Sequence, residues 1–330
     1  MYRVSSGGPS HLRVVEPPAK PRVGLALGGG SARGFAHIGA IRTLLNAGFE
    51  IDSIAGTSIG AVIGGCYACG RLDALEEWAR SLTKRRVFSL LDFSMQGSGL
   101  IGGGRLGQIL ARDIGRTLIE DLPIPFAAVA TEIGTGHEIW LTKGPVVKAM
   151  RASYALPGIF EPVQAGGRWL MDGALVNPVP VSTARALGSR VVLAINLCGE
   201  MVGRGSVVPG HGAHDHEHDE HEKVRPAHRA ALGAATSLLK RQLGFADKRP
   251  TSRDSKAPRI SSVILDAFNV TQDRISRSRL AGDPPDYMIT PRLGKVGLFE
   301  FHRAAEIIDL GAEATRRSLD LIREAVDAFS

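Results

Sequence analysis

Gly56-Thr57-Ser58-Ile59-Gly60 sets a serine between two glycines at the spacing of a nucleophile elbow. In such an elbow a sharp strand-to-helix turn lifts the hydroxyl clear of the backbone. The glycines permit the turn, and the outgoing helix aims its first N–H groups at a developing anion. Taken alone, the pentapeptide reads equally well as a serine N-cap between small packing residues. Its surroundings favour the elbow, because the short apolar run Ile51 to Ala55 enters it and a helical stretch from Ile59 to Cys69 leaves it.

A second strand-to-helix junction is Leu27-Gly-Gly-Gly-Ser-Ala-Arg-Gly34. Consecutive glycines let backbone N–H groups face outward unobstructed, as an oxyanion hole requires, and one such donor is worth roughly 3 kcal/mol in a transition state. Gly28, Gly30 and Gly34 also form a variant dinucleotide fingerprint, with Glu50 and Asp52 about 20 residues further on. An NADP-binding protein would need its ribose-binding acid at the end of the second strand. Here the acids precede the apolar run, so hydrolysis is the preferred chemistry and no cofactor is expected.

The third signal is Trp169-Leu-Met-Asp172-Gly173-Ala174, an acid after a short strand. A hairpin turn would explain it too. No histidine follows at a strand-end position, as a Ser…Asp…His order would demand. His37 falls in the first helix, His137 near a strand start and His302 at a helix start, and none sits in a motif. A Ser58–Asp172 dyad is the economical arrangement. An aspartate with an ordinary pKa of about 3.9 is a poor base, so it would have to be buried against Ser58.

LGGGSARG, GTSIG and MDGA, in that order, resemble the patatin-like phospholipase family, and within it the short bacterial members related to neuropathy target esterase. Ala152-Ser-Tyr-Ala-Leu-Pro-Gly-Ile-Phe-Glu-Pro162 resembles the loop before the family's aspartate. Asp286 to Pro291 and Gly297 to Phe301 resemble its C-terminal segment. The resemblance implies a three-layer α/β/α fold and a metal-independent acyl hydrolase acting on lipid esters, phospholipid or lysophospholipid. By position it makes Ser58 the nucleophile and Asp172 the base. It also puts the amides of Gly28, Gly29 and Gly30 in the oxyanion hole, supported by Arg33, with Gly56, Gly60, Gly173 and Ala174 as motif positions. Ser31 stands where relatives often carry glycine. A catalytically idle scaffold of the same fold is the alternative, which the complete motif set argues against.

The elements around these motifs agree with an α/β class. Val23 to Leu27 reads as a strand, Ala32 to Asn46 as a helix closed by Gly48, and Ile51 to Ala55 as a second strand. This alternation indicates βαβ units and a mainly parallel sheet. Further strands are expected at 126–131, 138–141, 168–171, 191–197 and 287–290, with Pro145 opening a helix to about Ser153 and another helix starting near Leu106. Residues 1–21 read as a flexible tail and 22–330 as one domain. Within it, about 200–260 reads as a partly disordered surface insertion containing HGAHDHEHDEHE at 211–222. That tract matches no zincin motif, and no metal is expected there. From His302 onward, apolar residues at Ile308, Ala312, Thr315, Leu319, Ile322, Val326 and Phe329 mark an amphipathic helix, expected to pack back onto the sheet.

With 330 residues and 44% hydrophobic content, the chain can bury a core without staples. The net charge of +7 reads first as a solvated surface; among anionic partners it suits a membrane face touched peripherally better than nucleic acid, for which no signature is present. Three cysteines, no apolar leader in residues 1–21 and no long apolar run fit a cytoplasmic protein. Cys66 and Cys69 form a C-x-x-C late in a helix, where small buried side chains are expected in place of redox chemistry.

Overall fold

The computed structural model describes residues 22–90, 104–199 and 260–329. The expected tail, the 200–260 insertion and its His tract lie outside the described residues, apart from Ile260, which opens a helix. Along the chain come β1 (Arg22–Leu27), α1 (Ala36–Asn46), β2 (Glu50–Thr57), α2 (Ile59–Ala68), α3 (Leu72–Arg80), α4 (Lys84–Leu90) and α5 (Gly104–Ile114). They are followed by β3 (Phe126–Glu132), β4 (Glu138–Leu141), α6 (Val146–Ser153), β5 (Val163–Ala165), β6 (Arg168–Asp172), α7 (Val181–Ala186) and β7 (Val192–Ile195). The last are α8 (Ile260–Gly282), β8 (Tyr287–Ile289) and α9 (Ala304–Asp327).

One mixed sheet runs β5-β6-β3-β2-β1-β7-β8, with β4 also paired to β3. The five strands from β3 to β8 in that order are mutually parallel, and β4, β5 and β6 supply the antiparallel pairings at the other side. Alternation along β1 sends Val23, Leu25 and Leu27 into a large core with residues of α1, α2 and α9. Ala26 faces the opposite side, where it meets Ala55, Val192 and Ala194 under Val181 and Ala184 of α7. Bulky side chains on one face and small ones on the other give two helical layers on one sheet, a three-layer α/β/α fold.

Three elements differ from expectation. Residues Ser31–Phe35 form a 3-10 turn, and the α-helix starts only at Ala36. The apolar stretch 191–197 is a strand only over Val192–Ile195, because beyond it the Asn196 side chain accepts the Cys198 amide and turns the chain away. The C-terminal helix α9 packs chiefly on α1 and only marginally on the sheet, at β8. Its buried face comprises Ile307, Ile308, Gly311, Ala314, Thr315, Ile322 and Val326, whereas Phe329 beyond it is exposed. Among the described residues, no helix is long and apolar enough to cross a membrane.

Candidate active site

Adjacent parallel strands deliver two of the three motifs to one sheet end. β1 and β2 pair in register from Ile54 opposite Leu25 to Gly56 opposite Leu27, so Gly28 and Ser58 leave the sheet side by side. β6 runs antiparallel to β3, with Asp172 opposite Ala130, and ends at the same place. Glu50 instead lies beside Arg22, at the start of β1. The acids of the dinucleotide reading are therefore at the far end of the strands from the glycine loop.

Ser58 has φ 57° and ψ −122°, a left-handed backbone for a residue with a side chain. Such strain persists where the surroundings over-determine it. A Cβ on Gly60 would run into the Leu27 carbonyl, and one on Gly173 into the Val129 carbonyl, so both motif glycines are set by close backbone approach. Gly56 likewise lies tight against the backbone of Ala61. The Ser58 amide donates to Ser153 Oγ at 2.8 Å, and that hydroxyl donates to the Val129 carbonyl at 2.6 Å. Ser153, at the end of α6, thus ties the elbow to β3.

Ser58 Oγ donates to Asp172 Oδ2 at 2.6 Å across 114 positions of sequence. Asp172 Oδ1 accepts the Ala174 amide at 2.8 Å, capping the 3-10 turn Gly173–Leu175. This gives Ala174 a role through its backbone alone. Thr131 Oγ1 donates to the Asp172 carbonyl at 2.8 Å and fixes the strand end. Asp172 is 2% exposed. Burial pushes its carboxyl pKa up to about 6, against the opposing pull of the Ser58 hydroxyl and the Ala174 amide. A carboxylate in that range is a far better base near neutrality than one near 4.

In the glycine loop, two of the three expected amides already have carbonyl partners. The Gly28 amide donates to the Ile195 carbonyl at 3.1 Å and the Gly29 amide to the Pro178 carbonyl at 2.9 Å. Both hold the loop in place. The amides of Gly30 and Ser31 have no acceptor among the described residues, and both residues line the cavity beside Ser58. His37 is buried in α1, with Nε2 2.7 Å from the Gly28 carbonyl, and burial lowers its pKa to about 4. It is a neutral strut that donates from Nε2, not a catalytic base. Arg33 Nε donates to the Val296 carbonyl at 2.9 Å, which makes it a second support for the loop.

Ser31 has φ 53°, which explains why glycine suits this position. Ser31→Gly should stabilise the fold by about 1 kcal/mol, since left-handed backbone costs a side-chain-bearing residue roughly 1–2 kcal/mol. Part of that gain is offset by the greater entropy of glycine in the unfolded chain. Chemical denaturation measures it, and a lower midpoint would show that the Ser31 side chain supplies a compensating contact.

From Ser58 and Asp172 a cavity of about 80 Å³ extends, lined by Val62, Leu156, Phe160, Phe268, Leu298 and Phe299 among others. Ser58, Asp172, Gly30, Ser31 and Gln272 of α8 line it too. A hydrocarbon chain suits the apolar lining, and a polar reacting bond suits the position of the hydroxyl. Sequence reasoning assigned nothing to Ser153 or Gln272. Ser153 falls inside the loop stretch that carries the resemblance, but no local spacing connects it to Ser58. Cys66 is buried and Cys69 half-buried, both as free thiols.

The patatin-like phospholipase family model matches residues 25–185, which contain every motif above except the C-terminal segment. An uncharacterized NTE family protein of Mycobacterium tuberculosis is 34% identical across 94% of this chain and 95% of its own length. A second NTE family protein of that organism is 30% identical across 91% of this chain and 48% of its own. Patatin-like phospholipase domain-containing protein 7 of Rattus norvegicus is 34% identical across 53% of this chain and 13% of its own. The chain belongs to the patatin-like phospholipase family and is a lipid ester hydrolase.

Proposed function

We propose that the protein cleaves carboxylic esters of phospholipid or lysophospholipid through a Ser58–Asp172 dyad and an acyl-enzyme. The 2.6 Å hydrogen bond from the serine hydroxyl to a buried carboxylate carries this reading. Asp172 takes the Ser58 proton as the oxygen attacks the ester carbonyl carbon. The resulting oxyanion is met by the amides of Gly30 and Ser31, at the positive end of α2. Collapse breaks the ester C–O bond, and the proton on Asp172 passes to the departing alkoxide. Water then gives a proton to Asp172 and attacks the acyl-Ser58 carbonyl, and a second collapse releases the fatty acid and returns the proton to Ser58.

The cavity supports an acyl chain as the recognised part of the substrate, with the head group left outside. Val263, Ile264 and Val270 are exposed on α8, the helix that brings Phe268 and Gln272 to the cavity. Together with the basic balance of the chain, this supports peripheral contact with an anionic lipid face on the cytoplasmic side.

Acid quenching during turnover of p-nitrophenyl butyrate should trap a butyryl group on the peptide containing Ser58, after a burst of nitrophenol equal to the enzyme present. A burst-free reaction with no acylated peptide would contradict the covalent route. The rate should also depend on pH through Asp172. With its pKa at about 6, kcat/KM falls as pH drops through that value, by about tenfold one unit below it. A flat profile between pH 5 and 7, a window chosen to bracket about 6, would remove Asp172 as base.

A further inference from the structure

Gln272 lies on α8 and is 3% exposed. It is a polar side chain that lines the same cavity as Ser58, Asp172, Gly30 and Ser31, among phenylalanines and leucines. A Cβ built on Gly29 would stand 2.8 Å from Gln272 Nε2 and 3.5 Å from Ser58 Cβ, so the carboxamide and the nucleophile flank the same glycine. The helix α8 is seated on the Gly173–Leu175 turn that Asp172 caps. The oxyanion amides Gly30 and Ser31 belong to the same loop as the glycine it covers.

We propose that Gln272 contacts the substrate, its side-chain NH2 donating to the ester carbonyl oxygen as that oxygen becomes the oxyanion. It would join the two loop amides as a third donor, supplied by a helix far along the chain. The absence of a bulky residue at position 29 is then functional as well as steric, since any side chain there would stand between the carboxamide and the reacting carbon. The inference rests on the serine ester hydrolase reading above.

The test compares wild type with Gln272→Met, which keeps length and volume, and Gln272→Glu, which keeps shape but removes the NH2 donor. Active sites are titrated with a fluorophosphonate, and p-nitrophenyl butyrate turnover is expressed per titrated site. Both variants should lose roughly 10²- to 10³-fold in kcat/KM, with the loss in kcat and KM nearly unchanged, as for a donor that acts in the transition state. Phosphonylation of Ser58 should slow as well, because it builds the same oxyanion. A merely structural role would lower the number of titratable sites and the melting temperature but leave the rate per site intact. Turnover per site within about threefold of wild type in both variants overturns the role of Gln272 alone. A wild-type protein that neither hydrolyses the ester nor takes the label overturns the serine hydrolase reading, and this inference with it.

Discussion

Asp172→Asn should lower kcat/KM by about 10²- to 10⁴-fold while raising the stability of the fold at neutral pH. The two effects share one cause. Burial raises the folded-state carboxyl to about 6, against about 3.9 in an unfolded chain. For a carboxyl raised on folding, the protonated form is the one the fold prefers. Stability from this group is complete below about pH 4 and is lost as pH rises through about 6, so at pH 7 the ionised side chain costs the fold about 2–3 kcal/mol. Asparagine avoids that cost. Its carbonyl can still accept the Ala174 amide and its NH2 can face Ser58 Oγ, so the geometry survives without a base. Melting curves at pH 5 and pH 8 check the sign: the gain of the variant over wild type should grow with pH. A variant less stable than wild type at both would mean that the Ser58 and Ala174 bonds outweigh the burial of charge.

Ser58→Ala should abolish ester turnover, a loss on the order of 10⁶-fold when the nucleophile acts as one unit with its base. The backbone at φ 57° strains alanine as it strains serine, so the elbow itself is not relieved. Losing the hydroxyl removes a bond that holds the Asp172 carboxyl down, so its pKa should move further up from about 6. The melting temperature should therefore fall more at pH 8 than at pH 5 relative to wild type, because only the ionised carboxylate misses its donor. Hydrolysis by this variant at a rate within tenfold of wild type, a margin far smaller than the expected loss, would transfer the chemistry to another residue.

What the sequence makes legible follows from where chemistry sits in a parallel sheet. Strand ends followed by glycine-rich turns mark the switch from period two to helical spacing, so β1, β2 and their motifs stand out in the chain itself. Asp172 is legible because it ends a strand and precedes a glycine that only a close approach to β3 requires. Which amides of the glycine loop stay free was not legible. It depends on which amides the carbonyls of Ile195 and Pro178 have already taken, and both carbonyls come from more than 100 positions away. Ser153 and Gln272 were hidden for the same reason, since each meets the elbow only through tertiary packing and neither has a local partner at motif spacing. The three-residue strand β5 is too short to show alternation, and α3 and α7 are short helices between turns that the longer patterns around them overshadow.

Peptide mapping after reaction with a fluorophosphonate tests most directly whether Ser58 carries the activated hydroxyl. A single adduct is expected, on Ser58, formed in wild type, much slower in Asp172→Asn and absent in Ser58→Ala. An adduct on any other serine, or equal labelling of wild type and Ser58→Ala, would contradict it.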